Sequence, residues 1–273
     1  MKKIYAILAI TTLFLISSCT EVVKVDLNTA NPKLVVEASI VWNKGTTGNV
    51  QKIKLTTTTD FYTNVIPVVS GATVFVKNSS NMVYNFVEFA NSGDYICSNF
   101  VPVINETYQL NISANGNNYT ATETLKPVAT IVNVAQENIG GLSGNKPVLK
   151  ANFIDPATQE NYYFYRYTST GSTNPNNYVA EDAFFNGNPF FSSTFGMTLN
   201  QGDQVKVTHF GISKKYFNYL NILLDISGNQ GGGPFQSPPV SVRGNIINAN
   251  NSDNFPLGFF SLSEADSRTI SVQ

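Results

Sequence analysis

The chain has 273 residues, 42% hydrophobic, 12% aromatic and 13% charged, a composition that excludes a disordered polymer and suits one large or two modest domains. Setting aside Lys2 and Lys3 leaves 15 basic residues against 18 acidic ones, a net charge near −3. No basic run follows, which argues against nucleic acid and anionic membrane surfaces as partners. About one residue in eight is Asn, the polar, weakly charged surface chemistry common on exported β proteins.

The N-terminus opens with Lys2 and Lys3, followed by an apolar run from Ile4 to Ile16 broken only by Thr11 and Thr12. Charge followed by a run too short to cross a bilayer and stop there is the layout of a secretory signal. It ends in Ile16-Ser17-Ser18-Cys19, which resembles the bacterial lipobox. In that motif the cysteine sulfur takes a diacylglycerol, cleavage falls just before it, and the new amino group is usually acylated. Residues 1–18 are therefore expected to be a signal, Cys19 the lipidation site and 19–32 a polar tether. Two or three acyl chains, at about 0.8 kcal/mol per buried methylene, would make the attachment effectively permanent.

Strand signals begin at 34–42, a β-branched apolar stretch ending in Trp42, with a Gly-rich turn after it. Residues 51–56 alternate polar and apolar, and short alternating runs recur at 72–77, 83–89, 93–97, 107–114 and 118–125. Asn115-Gly116-Asn117 reads as a hairpin turn. No helical period occurs before Pro127, so 33–127 is expected to be an Ig-like or transthyretin-like β-sandwich. Cys97 sits in one of the alternating runs. With Cys19 lipidated it has no partner for a disulfide and reads as a small core residue.

Region 128–273 is expected to be a β-rich second domain. Residues 130–134, 148–153, 161–167 and 203–210 read as strands, and 258–263 and 268–272 as closing strands; 169–177 reads as a loop. Ser213 is a good helix N-cap, and Tyr216, Tyr219, Leu220, Leu223 and Leu224 fall at helical spacing, which predicts one helix over about 213–227. The Gly/Pro stretch 231–239, with Phe235 inside it, is neither helix nor central strand.

Taken in order, these segments look like a known group. They are the lipobox cysteine, Pro32-Lys33-Leu34-Val35-Val36-Glu37-Ala38, Val69-Ser70-Gly71-Ala72-Thr73-Val74, Gly93-Asp94-Tyr95 and Glu106-Thr107-Tyr108-Gln109-Leu110-Asn111-Ile112. Asp155-Pro156 with Asn161-Tyr162-Tyr163, Lys215-Tyr216-Phe217-Asn218-Tyr219-Leu220, Pro234-Phe235, Gly244-Asn245-Ile246 and Leu257-Gly258-Phe259-Phe260 follow. The sequence resembles the Bacteroidota lipoproteins grouped as domain-of-unknown-function family 4249, across essentially the whole chain after Cys19. The resemblance implies an outer-membrane lipoprotein with a sandwich and a β-rich second unit, in a group often encoded beside TonB-dependent transporters. It supplies no catalytic residues. Surface-displayed lipoproteins of that phylum tend to carry an acidic cluster after the cysteine. Here Thr20-Glu21-Val22-Val23-Lys24 holds one acid, which leaves both faces of the outer membrane open.

Chemistry-bearing clusters are sparse. Asp155 and Glu160 offer a carboxylate pair beside an aromatic strand, although Asp-Pro followed by small polar residues is first a turn. Glu181-Asp182 lacks calcium-loop spacing and reads as a solvated strand end. His209 has no Gly-x-Ser-x-Gly elbow to serve and reads as a structural or surface histidine; one His and one free Cys cannot build a zinc site, and no cofactor is implied. The aromatics Tyr163, Tyr165, Tyr167, Phe190, Phe191 and Phe235, set among Asn and Gly loops, form the candidate binding surface. The expected role is a non-catalytic accessory or binding component at the outer membrane, with a TonB-dependent transporter as partner. A structural or adhesion protein and a carboxylate-dependent hydrolase using Asp155 and Glu160 are the alternatives.

Overall fold

The computed structural model describes residues 31–60, 62–140, 146–227 and 242–273, so the expected signal, Cys19 and Phe235 lie outside the described residues. One compact unit comprises Pro32–Thr59 with Thr63–Gln273 and holds every strand and helix named below. The other, Met1–Asn31 with Asp60–Tyr62, falls almost entirely outside the description.

The fold is mainly β. The first seven strands are β1 (Leu34–Asn43), β2 (Gln51–Thr57), β3 (Thr73–Asn78), β4 (Val83–Glu88), β5 (Asp94–Cys97), β6 (Thr107–Ala114) and β7 (Asn117–Thr124). Alternate residues point to opposite faces of a strand, and here every second one is buried: Val36, Ala38 and Ile40 on β1, and Tyr108, Leu110 and Ile112 on β6. These side chains, with Ile53, Leu55, Tyr95, Cys97 and Tyr119, form one continuous core, the filling of a sandwich. Tyr95 donates its hydroxyl to the Val69 carbonyl at 2.8 Å, and Tyr108 donates to Val101 at 2.9 Å, so each buried ring carries its polar tip to a partner.

The rest of the chain supplies β8 (Ile131–Ile139), β9 (Lys146–Ile154), β10 (Tyr162–Ser169), β11 (Asn176–Glu181), β12 (Pro189–Ser193), β13 (Gln204–Ile212), helix α1 (Lys214–Ile226), β14 (Ile247–Asn248) and β15 (Leu257–Ser271). A twelve-stranded sheet runs in the order β11-β10-β13-β15-β1-β2-β5-β4-β3-β6-β7-β14, and a three-stranded sheet β12-β9-β8 stands apart from it. The second core packs Tyr163, Tyr165, Tyr167, Val205 and Val207 against Leu149, Ala151 and Phe153 of the smaller sheet. On the opposite face, Tyr162, Phe164 and Ile212 meet Leu220 of α1. Strand β10 is thus a middle layer, covered on both sides. Helix α1 begins at Ser213, whose hydroxyl accepts the Tyr216 N–H at 3.1 Å and donates to the buried Glu123 carboxylate at 2.8 Å.

Two expectations are corrected here. The separate closing strands 258–263 and 268–272 are one continuous fifteen-residue strand. Its first nine residues pair in parallel with β1 (Leu257 with Val35 through Ala265 with Asn43), and its last seven pair with β13. The polar residues between them are not a turn but a fastening. Glu264 accepts the Val128 N–H at 2.9 Å and an ion pair from Lys44 at 3.2 Å. Asp266 accepts the Ile131 N–H at 2.8 Å and the Arg268 guanidinium at 2.6 Å, while Arg268 donates to the Ile131 carbonyl at 2.9 Å. The connection through Pro127 passes so close that a Cβ on Gly211 would lie 1.8 Å from the Pro127 carbonyl oxygen, so this crossing requires glycine. The expected loop 169–177 also ends inside β11, because its Asn-rich stretch pairs with the Tyr-rich β10 from Asn176 onward.

Asp266→Ala strips the buried Ile131 N–H of its acceptor and frees Arg268, and should lower the unfolding free energy by about 2–4 kcal/mol in urea denaturation. Arg268→Ala should cost less, since its side chain is 43% exposed.

Candidate functional site

Of the tyrosines expected to form a binding surface, Tyr163, Tyr165 and Tyr167 are buried to 1%, 1% and 0% exposure. The correction follows from the layering: one face of β10 meets the small sheet and the other meets α1, so neither alternation leaves a ring outside. Phe190 and Phe191 do reach the surface, at 37% and 39% exposure, and Phe195 joins them at 75%.

These three rings border an open cleft of about 1000 Å³, at the upper end of the range of small-ligand sites. Its walls are the 171–178 segment leading into β11, with Asn174, Asn176 and Tyr178, and β12 with the loop that follows it. Among the described residues none that lines it is charged. The cleft lies between edge strands of two different sheets, β11 of the large one and β12 of the small one. Tyr178 ties those edges together: its hydroxyl accepts the Ser193 N–H at 2.6 Å and donates to the Ser193 carbonyl at 3.1 Å. The phenyl rings are held in place. Phe190 stacks on the buried Phe185 with centroids 3.9 Å apart and planes 2° off parallel, and Phe191 follows at 5.6 Å and 19°. Lys150 places its ammonium 4.6 Å above Phe191 and pairs with Glu137 at 2.6 Å. Flat rings beside side-chain amides and hydroxyls suit an uncharged ligand or partner segment.

Behind β12 lies a buried polar chain that the sequence did not reveal. The Tyr167 hydroxyl bonds to Ser192 Oγ, which lies 2.5 Å from His209 Nε2. Ser192 and His209 thus meet the distance expected of a nucleophile and its base, but their exposures are 2% and 0%, and they sit beneath Phe153 and Tyr165. The pair is a strand-to-strand link in the core, and His209 is a core rather than a surface residue. Burial pushes its imidazole down to about 3, against the opposing pull of the Asp266 charge.

The acids are also separated. Asp155 is 2% exposed, accepts the Tyr163 hydroxyl at 2.5 Å and the Gly187 N–H at 3.1 Å, and thereby holds the 185–188 turn. Glu160 lies outside with a side chain 73% exposed, accepting the Tyr162 hydroxyl at 3.0 Å and lying 3.7 Å from Lys214. The two carboxylates do not converge on one cavity, so the pair on which the hydrolase alternative rested is not assembled. Asp182 is buried and accepts the Asn161 N–H at 2.7 Å, a turn-closing role rather than a solvated strand end, while Glu181 is exposed. Cys97 is core, its thiol raised by burial. Among the described residues no three His, Cys, Asp or Glu side chains gather where a metal ion would sit, and no helix is long and apolar enough to cross a membrane.

The buried imidazole makes a pH prediction. Its folded value near 3 lies below the ordinary 6.5, so above pH 6.5 it is neutral in both states and contributes no slope. Below 6.5 only the unfolded chain takes the proton, and stability should fall by about 1.4 kcal/mol per pH unit until the folded value is reached. Urea melts between pH 6.5 and 5 should show this loss in the wild type, and His209→Gln should remove it.

Comparison with solved structures finds distant likenesses, among them the following. A two-domain fibronectin type-III segment from chicken tenascin has 12% identity and a TM-score of 0.23, covering 67% of this chain and 91% of that one. The chicken interferon gamma receptor alpha chain has 9% identity and a TM-score of 0.21, covering 66% and 88%. A pullulanase from Anoxybacillus, complexed with maltotriose, has 9% identity and a TM-score of 0.20, covering 64% of this chain and 24% of its own. At such scores none of them bears on how this chain works. No curated protein matches the chain. The model of the family described as "Domain of unknown function (DUF4249)" matches residues 20–269, nearly all of the chain after Cys19, and the chain belongs to that family.

Proposed function

We propose that this is a lipid-anchored binding component of the bacterial outer membrane, held through Cys19, that engages an uncharged ligand or partner segment in the cleft between β11 and β12. The observation that carries the reading is the gathering of Phe190, Phe191 and Phe195 around one uncharged cleft. Exposed apolar side chains gathered in one patch, unlike single ones, mark a surface that meets a ligand or partner. A purely structural envelope protein would be expected to present a flat polar surface, and the cleft weighs against that alternative. The lipobox Ile16-Ser17-Ser18-Cys19 supports the anchor, and the family resemblance supports a TonB-dependent transporter as the associate.

Two measurements test this. Labelled palmitate should enter the wild type and not Cys19→Ala; equal labelling of both would remove the anchor. The protein carrying a tag after Gln273, recovered from gently solubilised outer membranes, should bring down one stoichiometric β-barrel transporter. A Phe191→Ser/Phe195→Ser double variant should lose most of that partner while keeping its own yield. Recovery of no transporter above the Cys19→Ala control would contradict the accessory role, and unchanged recovery by the double variant would move the contact away from the cleft.

A further inference from the structure

The end of the sandwich where β1 begins carries several exposed apolar side chains. Lys33 and Thr58 bond to each other there, Lys33 N–H to Thr58 Oγ1 at 2.9 Å and Thr58 N–H to the Lys33 carbonyl at 2.9 Å. The loop after Thr58 returns to the sheet at Pro67, whose carbonyl accepts the Thr57 N–H at 2.9 Å. On that loop Val65 is 72% exposed and Ile66 63%. At the same end, Val68 packs against Gly93, and the turn from Phe89 to Gly93 carries Phe89 at 64% exposure, next to Val87 at 69%. Lys33 and Arg243 both lie over the ring of Phe255, at 3.6 and 3.9 Å, just before β15 starts. Apolar tips with long cationic side chains laid along an aromatic ring are the composition of a surface that meets a membrane interface.

The place of Cys19 in the chain names the occupant. Twelve residues lie between it and Pro32, and the thirteen Cα-to-Cα steps span at most about 45 Å even when fully extended. A lipid on Cys19 therefore keeps this end of the sandwich within about 45 Å of the bilayer. The cleft lies at the other end of the same lever. The 170–175 loop that leads into its wall starts where Thr170 bonds Gln204, and Gln204 pairs with Ser271, the last residue of β15. Leu257 at the opposite end of β15 pairs with Val35. Fifteen extended residues measure about 45 Å.

We infer that the pole formed by Val65, Ile66 and Phe89 seats on the lipid surface beside the anchor, so that β15 stands off the bilayer and holds the β11–β12 cleft out at its far end. The seating is apolar, in keeping with a chain that has no basic run to draw it to anionic headgroups.

This inference rests on the anchored reading, and the experiment separates the two. Residues 19–273 are coupled through Cys19 to a maleimide-bearing lipid in phosphatidylcholine vesicles, which supplies the tether whatever the cell does to that cysteine; Cys97 is buried and does not compete. Tryptophan is introduced as Ile66→Trp or Phe195→Trp, and emission is compared in vesicles with and without brominated acyl chains. Ile66→Trp should be quenched several-fold beyond the Trp42 background, at low and at high salt alike. Phe195→Trp should add no quenching, and Val65→Ser/Phe89→Ser should reduce the quenching at position 66. An unquenched Ile66→Trp, or quenching at position 195 instead, overturns the inference. Failure of palmitate labelling in cells would remove the natural anchor and leave this result standing by itself.

Discussion

One strand holds this protein together. β15 pairs in parallel with β1 along its first part and antiparallel with β13 along its last, so it belongs to both cores. Phe260 and Leu262 fill the sandwich, and Val272, just past its end, fills the second core. Between them, Glu264 and Asp266 point inward and take the backbone N–H groups of Val128 and Ile131. Buried carboxylates are costly unless their acceptor capacity is used. Here the groups that use it are the backbone of the connecting segment, and the cost of leaving them unmade fixes the path of that segment. The same logic explains why glycines stand at the crossings. Gly258 adopts a φ of +100°, and a Cβ there would lie 2.0 Å from the Val36 carbonyl oxygen.

The cleft is a consequence of that frame. The large sheet ends at β11 and the small one at β12, and the space between two such edges opens as a groove. An unpaired edge invites unwanted strands. Pro189 at the start of β12 removes one donor, and the Tyr178 hydroxyl occupies both backbone groups of Ser193, so the edge is blunted while the phenyl rings beside it stay uncovered. The chemistry offered to a ligand is accordingly rings, amides and hydroxyls. Ser192 and His209, although placed like a reactive pair, are sealed in the core behind it.

Much of this was legible in the residues. The alternation of β1 to β7 gave the sandwich because one face of each strand is solvated and the other buried, the case in which a period of two is informative. Ser213 and the spacing of Leu220 and Leu224 gave the helix, although Leu223, in the same period, is 39% exposed. The aromatic run of β10 misled because a strand covered on both faces leaves no exposed set for the alternation to mark. Glu264 and Asp266 hid the continuity of β15, since charge within an apolar run ordinarily signals exposure. Tyr178, directly after the stretch 169–177 that reads as loop, and Phe195, at the end of a segment that mixes aromatics with Asn, Gly and Pro, were missed because neither segment has a period that marks a face. Asp155 and Glu160 stand five residues apart in the connection between β9 and β10, and only the folded path of that connection shows one going inward and the other out.

In the arrangement proposed above, β15 is a lever with lipid at one end and a partner at the other. The most direct test is a photo-crosslinking amino acid placed at position 195, and separately at position 66, in living cells. The account predicts a discrete protein adduct from position 195, and from position 66 lipid adducts without a defined protein band. A protein adduct confined to position 66, with none from position 195, would contradict it.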